Sequence, residues 1–272
     1  MRLLTIKDLS LQNEGYFAFK HVTFSLSSGE SILINGENGS GKTQLIEAIA
    51  KMKNTDGGRV HYEPGINAAL MPQDTNMVVN KKVGSYLSDS RKLAGKNAIN
   101  EKQLEDIAGY LGLATYLDRN VSSLSVGIRR RVEFLNATVG RPKILLLDEP
   151  FAFQSPKYVE RMTNLIDDLK SNGSAIVVVS TRQNQATLKL FERRYLLKNK
   201  SLESIEDQIT DCILTFRTMP DSMAITREIN SLIISQNSSL IELKVPLRIK
   251  DRMIKNMIDL NYQFEGERIV ED

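Results

Sequence analysis

The sequence predicts an α/β protein whose parallel sheet carries a phosphate-binding loop. Three stretches predict it. The apolar run Ile32-Leu33-Ile34 leads at once into Gly36-Glu37-Asn38-Gly39-Ser40-Gly41-Lys42-Thr43, and helical spacing follows at Leu45, Ile46 and Ile49. A second run, Ile144-Leu145-Leu146-Leu147, ends in Asp148-Glu149-Pro150. A third run covers 175–179. Runs that are apolar at every position suit strands covered on both faces.

The remaining elements follow in order. Residues 1–35 read as strands: 3–11 alternates loosely, 21–26 alternates well, and Ser27-Ser28-Gly29-Glu30 turns the chain into the strand at 31–35. The helix behind the loop runs from Lys42 to about Met52, and Asp56-Gly57-Gly58 is a turn before short strands at 59–62 and 68–71. From about 76 to 140 the texture becomes helical. Asn100 and Gln103 have the spacing of a capping box, ahead of an apolar stripe at Leu104, Ile107, Ala108 and Leu111. A helix is expected from about Lys157 to Lys170, and Tyr195-Leu196-Leu197 as the last core strand. The tail reads as a strand at 212–216, a helix at 222–234, a strand at 240–245 and an amphipathic helix at 249–260. That order is a small α+β domain.

Composition narrows the function classes. A net charge of +3 over 272 residues is too mild to argue for nucleic acid. The single cysteine, Cys212, allows no internal disulfide and fits a reducing cytoplasm. The first residues lack the apolar core of a signal peptide, and no run approaches the ~20 apolar residues of a membrane helix.

The chemistry lies in the glycine loop. A glycine, four residues and Gly-Lys-Thr, between a strand and a helix, is the context the phosphate-binding pattern requires. Glycines 36, 39 and 41 let backbone N–H groups converge on phosphate oxygens, and the helix N-terminus adds partial positive charge. Lys42 can reach the β- and γ-phosphates, and Thr43 can place its hydroxyl on Mg²⁺. The loop residues Glu37, Asn38, Ser40 and Gln44 complete the expected nucleotide site. The competing reading is a plain Gly/Ser turn, which the flanking strand and helix disfavour. Asp148, at a strand end, supplies a carboxylate to the Mg²⁺ shell, and Glu149 can orient or polarise an attacking water.

With Gln73 after an apolar strand and Leu124-Ser125-Val126-Gly127 before Arg129-Arg130-Arg131, four motifs stand in an order that resembles ABC-transporter nucleotide-binding domains. The resemblance covers roughly residues 1–198. It implies a P-loop NTPase core with N-terminal antiparallel strands and a helical subdomain inserted at about 76–140, followed by the accessory domain at 199–272. It also implies ATP and Mg²⁺ as ligands. Ser125 and Gly127 would face ATP held by a second chain, Gln73 would touch Mg²⁺ or the attacking water, and Lys42, Gln73 and Glu149 would be catalytic. Thr43, Asp148 and Gln73 would be the metal residues. An aromatic residue upstream of the loop would stack on adenine; Tyr16 and Phe17 are candidates, with ordinary packing as the alternative. The expected partners are an integral-membrane subunit and a second nucleotide-binding chain, in a homodimer or heterodimer, at the inner face of the cell membrane. The basic run is read as an ordinary family feature, with a nucleic-acid patch as its rival.

The chain departs from the family pattern at four places. Val126 and Ile128 stand where the signature usually has glycine and glutamine, Ser155 where an aspartate is usual, and Thr181 where a histidine contacts the γ-phosphate. The expected function is the ATP-hydrolysing subunit of a transporter, slow in isolation. The tail resembles extensions of drug, antibiotic and peptide exporters. The alternatives are a regulatory partner that binds ATP with little hydrolysis and a soluble ABC protein outside transport.

Overall fold

The computed structural model describes residues 1–73, 80–181, 185–205, 211–246 and 249–270. The expected subdomain boundary near 76 lies outside them. The chain divides into two compact units, Met1–Ile205 and Glu206–Asp272.

The first unit starts with β1 (Arg2–Asn13) and β2 (Tyr16–Ser27), an antiparallel hairpin. Its two-residue turn, Glu14-Gly15, has φ of 49° and 83°, the left-handed pair that matches strand twist. β3 (Ser31–Asn35) leads into the glycine loop and α1 (Lys42–Ile49). β4 (Gly57–Tyr62) pairs with β1, closing a three-stranded sheet in the order β2-β1-β4. β5 (Ala68–Met71) is followed by the helices α2 (Val83–Ala94), α3 (Glu101–Tyr110) and α4 (Val126–Thr138). The capping box at α3 forms: Gln103 N–H donates to Asn100 Oδ1 (2.8 Å) and Asn100 N–H to Gln103 Oε1 (3.0 Å).

Then come β6 (Ile144–Asp148), α5 (Pro156–Ser171), β7 (Ala175–Ser180), α6 (Gln185–Leu188), β8 (Arg193–Lys198) and β9 (Ser201–Ile205). The second sheet has the order β5-β6-β7-β3-β8-β9. It is parallel except for β9, which folds back onto β8, so the chain stays in this unit past residue 198.

Two apolar cores sandwich this sheet. On β6, Leu145 and Leu147 face a core shared with Val83, Leu104 and Phe134 of the helices. Ile144 and Leu146 face the other, shared with Leu45, Ile46 and Ile49 of α1 and with Phe19 and Leu26 of β2. That two-sided burial explains the uninterrupted apolar runs. It also fixes the C-terminal ends of β3 and β6, where the glycine loop and the Asp148-Glu149 turn emerge.

The second unit holds β10 (Asp211–Thr218), α7 (Arg227–Asn230), β11 (Ile233–Gln236), β12 (Leu240–Pro246), α8 (Lys250–Asp259) and β13 (Tyr262–Ile269). Its sheet is antiparallel in the order β11-β12-β10-β13, the split βαβ arrangement. Leu214, Phe216, Leu243, Met253 and Met257 are buried in its core. The helix expected at 222–234 is only one turn. Ile225, Ile229 and Leu232 pack on the core as their spacing suggests, but Ile233 pairs into β11. β-branched neighbours favour a pleated, paired conformation once an edge is available.

Candidate functional site

The glycine loop wraps the Lys42 ammonium. Lys42 Nζ donates to the carbonyls of Gly36 and Glu37 (both 2.8 Å) and, more weakly, to Ser40 Oγ (3.4 Å). Burial lowers its pKa, opposed by the charges of Glu149 and Asp148. Glu37, Asn38 and Gly39 are exposed at the loop tip, and Thr43 and Gln44 are half-buried on the first turn of α1. Gly41 has φ of 103°, and a Cβ there would meet the Ala18 carbonyl at 2.5 Å. The loop therefore sits directly on β2. Tyr16, two residues before Ala18, is 81% exposed, so it is free to stack rather than packed away.

Thr43, Gln73, Asp148 and Glu149 come together beside this loop. Thr43 Oγ1 donates to Gln73 Oε1 (3.0 Å). Asp148 is 1% exposed, and neither carboxylate oxygen makes a hydrogen bond of ordinary geometry. Its pKa is pushed up to about 6, chiefly by burial, with Thr43 opposing and Glu149 assisting. A buried carboxylate with free oxygens, next to a hydroxyl and an amide carbonyl, fits a hard cation with oxygen ligands. Glu149 is almost as buried and has φ of 48°. Its carboxylate accepts from Ser180 Oγ (2.9 Å) and from the Thr181 N–H. Both contacts lie at the end of β7, so the carboxylate is held while the Thr181 side chain stays exposed.

Ser125 and Gly127 sit elsewhere, at the start of α4. Ser125 is exposed at the N-cap position, and Val126 beside it is 52% exposed. Among the described residues no hydrogen bond joins them to the glycine loop. They connect instead to the segment after Glu149: Gln154 Nε2 donates to the Gly127 carbonyl (2.9 Å), and a Cβ on Gly127 would meet the Phe153 carbonyl at 2.7 Å.

The basic run contains residues that sequence reasoning missed. Arg130 and Arg131 are buried. Arg130 donates to the carbonyls of Pro72 (2.7 Å), Gln73 (2.6 Å), Asp148 and Glu149 (2.8 Å). Arg131 donates to the Leu111 carbonyl and lies over the Tyr158 ring at 3.7 Å. These two are structural cations, not part of a solvent-facing patch. Ser180 was also missed; only the fold brings it to Glu149.

Strand, glycine loop, buried lysine and acidic strand end define this as a nucleotide-binding protein of the P-loop class. The family model for ABC transporters matches residues 19–152. The lipopolysaccharide export system ATP-binding protein LptB of Escherichia coli K12 is 27% identical over 218 residues, 74% of this chain and 89% of LptB. The thiamine import ATP-binding protein ThiQ of Ruegeria sp. strain TM1040 is 30% identical over 192 residues, 65% of this chain and 81% of ThiQ. The solved ATP-binding subunit of an ABC transporter superposes with a TM-score of 0.67 at 20% identity, covering 75% of this chain and 91% of that one. A dimeric ATP-binding cassette with ADP and Pi superposes at 0.64, also at 20% identity, covering 74% and 97%. The chain belongs to the ABC transporter family, as an ATP-binding subunit with ATPase activity.

Proposed function

We propose that this chain hydrolyses MgATP in the seam between two nucleotide-binding chains and so drives a separate membrane subunit, most simply an exporter. The observation that carries the reading is the buried Asp148 carboxylate, with neither oxygen in a hydrogen bond of ordinary geometry, beside Lys42 and a Thr43 whose hydroxyl meets Gln73. Thr43, Asp148 and Gln73 would hold Mg²⁺, which when bound neutralises charge on the phosphates. Residues 36–44 hold the triphosphate, and Lys42 exchanges loop carbonyls for phosphate oxygens. Tyr16 stacks on the adenine. Glu149, fixed by Ser180 and the Thr181 N–H, accepts the proton of the attacking water.

Ser125 is exposed at the N-terminus of a 13-residue helix, with Gly127 in its first turn, which suits a phosphate bound to a partner chain rather than to this one. Closure of the two chains is then a population shift driven by a ligand contacted by both. Among the described residues no helix is long and apolar enough to cross a membrane. In this reading the membrane component is a separate chain, met at the inner face. Relatives serve both import and export, and the exporter assignment rests on the size and order of the tail.

The exposed Val126 at the signature and the replacement of a γ-phosphate histidine by Thr181 favour slow turnover in isolation and pairing with a less altered sibling. The test is phosphate release from MgATP by the purified chain, with Glu149→Gln as control, together with affinity capture from solubilised membranes. Hydrolysis lost in Glu149→Gln and recovery of a multi-helix membrane protein are expected. Undiminished hydrolysis by Glu149→Gln would overturn the assignment of Glu149. Capture of translation or repair factors instead would overturn the transport reading.

A further inference from the structure

We propose that Arg130 is a positioning residue that sets Gln73 and Glu149 relative to each other and ties both to the helix behind Ser125. The proposal rests on the reading of Gln73 and Glu149 given above.

Arg130 is 6% exposed, and its guanidinium spans two segments far apart in sequence. Nη1 donates to the carbonyls of Pro72 (2.7 Å) and Gln73 (2.6 Å), while Nη2 donates to those of Asp148 and Glu149 (2.8 Å). Each nitrogen thus clamps two consecutive carbonyls. The planar fork fixes the distance and angle between the two pairs, which a point charge on a flexible stem cannot do. Both clamped segments carry reacting groups. The Gln73 side chain meets the Thr43 hydroxyl, and the Glu149 carboxylate meets Ser180 and Thr181.

Glu149 needs the clamp most. Its φ of 48° is left-handed, a conformation a non-glycine residue keeps only when its surroundings dictate it. Its N–H donates to the Val179 carbonyl (2.9 Å) and its own carbonyl is held by Arg130, so the residue is pinned on both sides. Arg130 also lies on α4, just over one turn after Ser125. A shift of that helix when Ser125 meets nucleotide would carry the guanidinium with it, and with the guanidinium both clamped segments. None of this is visible in the sequence, where Arg130 is the middle of three arginines.

The test compares the full-length protein with Arg130→Met, Arg130→Lys, Gln73→Ala and the double variant Arg130→Met/Gln73→Ala. ATP turnover, binding of a fluorescent ATP analogue and thermal melting are measured for each. Arg130→Met is expected to lower kcat about 10²-fold, the scale of loss when reacting groups are misplaced by about 1 Å. Nucleotide affinity should change less than about threefold, because none of the four bonds lies on the phosphate loop. Arg130→Lys should recover less than about a tenth of the lost rate. The double variant should be no slower, within about threefold, than the slower single variant, since both changes act on one unit. Wild-type kcat in Arg130→Met, full recovery by Arg130→Lys, or multiplying losses in the double variant would each overturn the proposal. If Arg130→Met does not fold, Arg130→Lys alone decides: wild-type kcat overturns the proposal, and a large kcat loss at unchanged affinity supports it. The Glu149→Gln control separates this outcome from failure of the site assignment, because it tests Glu149 with Arg130 intact.

Discussion

Removing the charge of Asp148 should stabilise the nucleotide-free protein. The carboxylate is 1% exposed and has no hydrogen bond of ordinary geometry, so its ionised form is penalised by burial. Its pKa rises from the usual 3.8 to about 6. A carboxylate whose folded pKa is raised favours folding only while protonated. That contribution is complete below the unfolded value and is lost as pH rises through the folded one. The difference of 6 − 3.8 ≈ 2.2 units, at 1.36 kcal/mol per unit, corresponds to about 3 kcal/mol of destabilisation above pH 7. Asp148→Asn keeps the size and removes the charge. For a unit of 205 residues, about 3 kcal/mol corresponds to a Tm rise of roughly 6–12 °C. Melts in chelator without nucleotide should show that rise at pH 7.5. The gap should fall to about half at pH 5 and to less than about a quarter near pH 4. With MgADP the order should reverse, because a cation held by Asp148 repays the burial of its charge only in the wild type. An Asp148→Asn protein that melts at or below the wild type at pH 7.5, or a gap that does not depend on pH, would refute the reasoning.

Three further outcomes follow from the same geometry. Lys42→Ala should weaken ATP binding by about 10²-fold or more in calorimetric titration, because the ammonium held among loop carbonyls is the one we assign to the phosphates. Gly41→Ala should lower stability by about 1–3 kcal/mol in denaturant titration and weaken ATP binding as well, since the new Cβ would press on the Ala18 carbonyl at a φ of 103°. Thr181→His should raise ATP turnover, by up to ~10²–10³-fold if the donor is the missing one. Robust wild-type turnover that the change leaves alone would show that Thr181 costs nothing.

The parts legible in the sequence are those where one segment specifies its own environment. A strand covered on both faces must be apolar at every position, so β3, β6 and β7 announce themselves. A loop that turns backbone N–H groups inward needs glycine at set places, so residues 36–43 do too. Periodicity failed where a paired edge outweighed it. Ile225, Ile229 and Leu232 keep helical spacing, yet the chain is drawn into β11 immediately afterwards. It is silent at residues 129–131, because a buried arginine and a solvated one look alike until the carbonyls of 72–73 and 148–149 are seen to converge on Arg130 and those of 111–112 on Arg131.

That convergence has a consequence for how far the altered motifs compromise the site. Much of what holds the Glu149 turn is backbone: the Thr181 N–H, the Val179 carbonyl that accepts its N–H, and its own carbonyl clamped by Arg130. Backbone donors and acceptors survive side-chain replacement. The Thr181 side chain therefore departs from the family pattern without disturbing the hold on the carboxylate, and whatever it costs must be paid at the γ-phosphate. Val126 and Ser125, in contrast, present their side chains outward from α4. In the proposed two-chain arrangement, substitution there would leave this chain's own pocket intact and act on the nucleotide of its partner. The two kinds of departure should separate experimentally: Thr181→His should change turnover at the site built on this Lys42, and Val126→Gly should change turnover at the site built on the partner's loop.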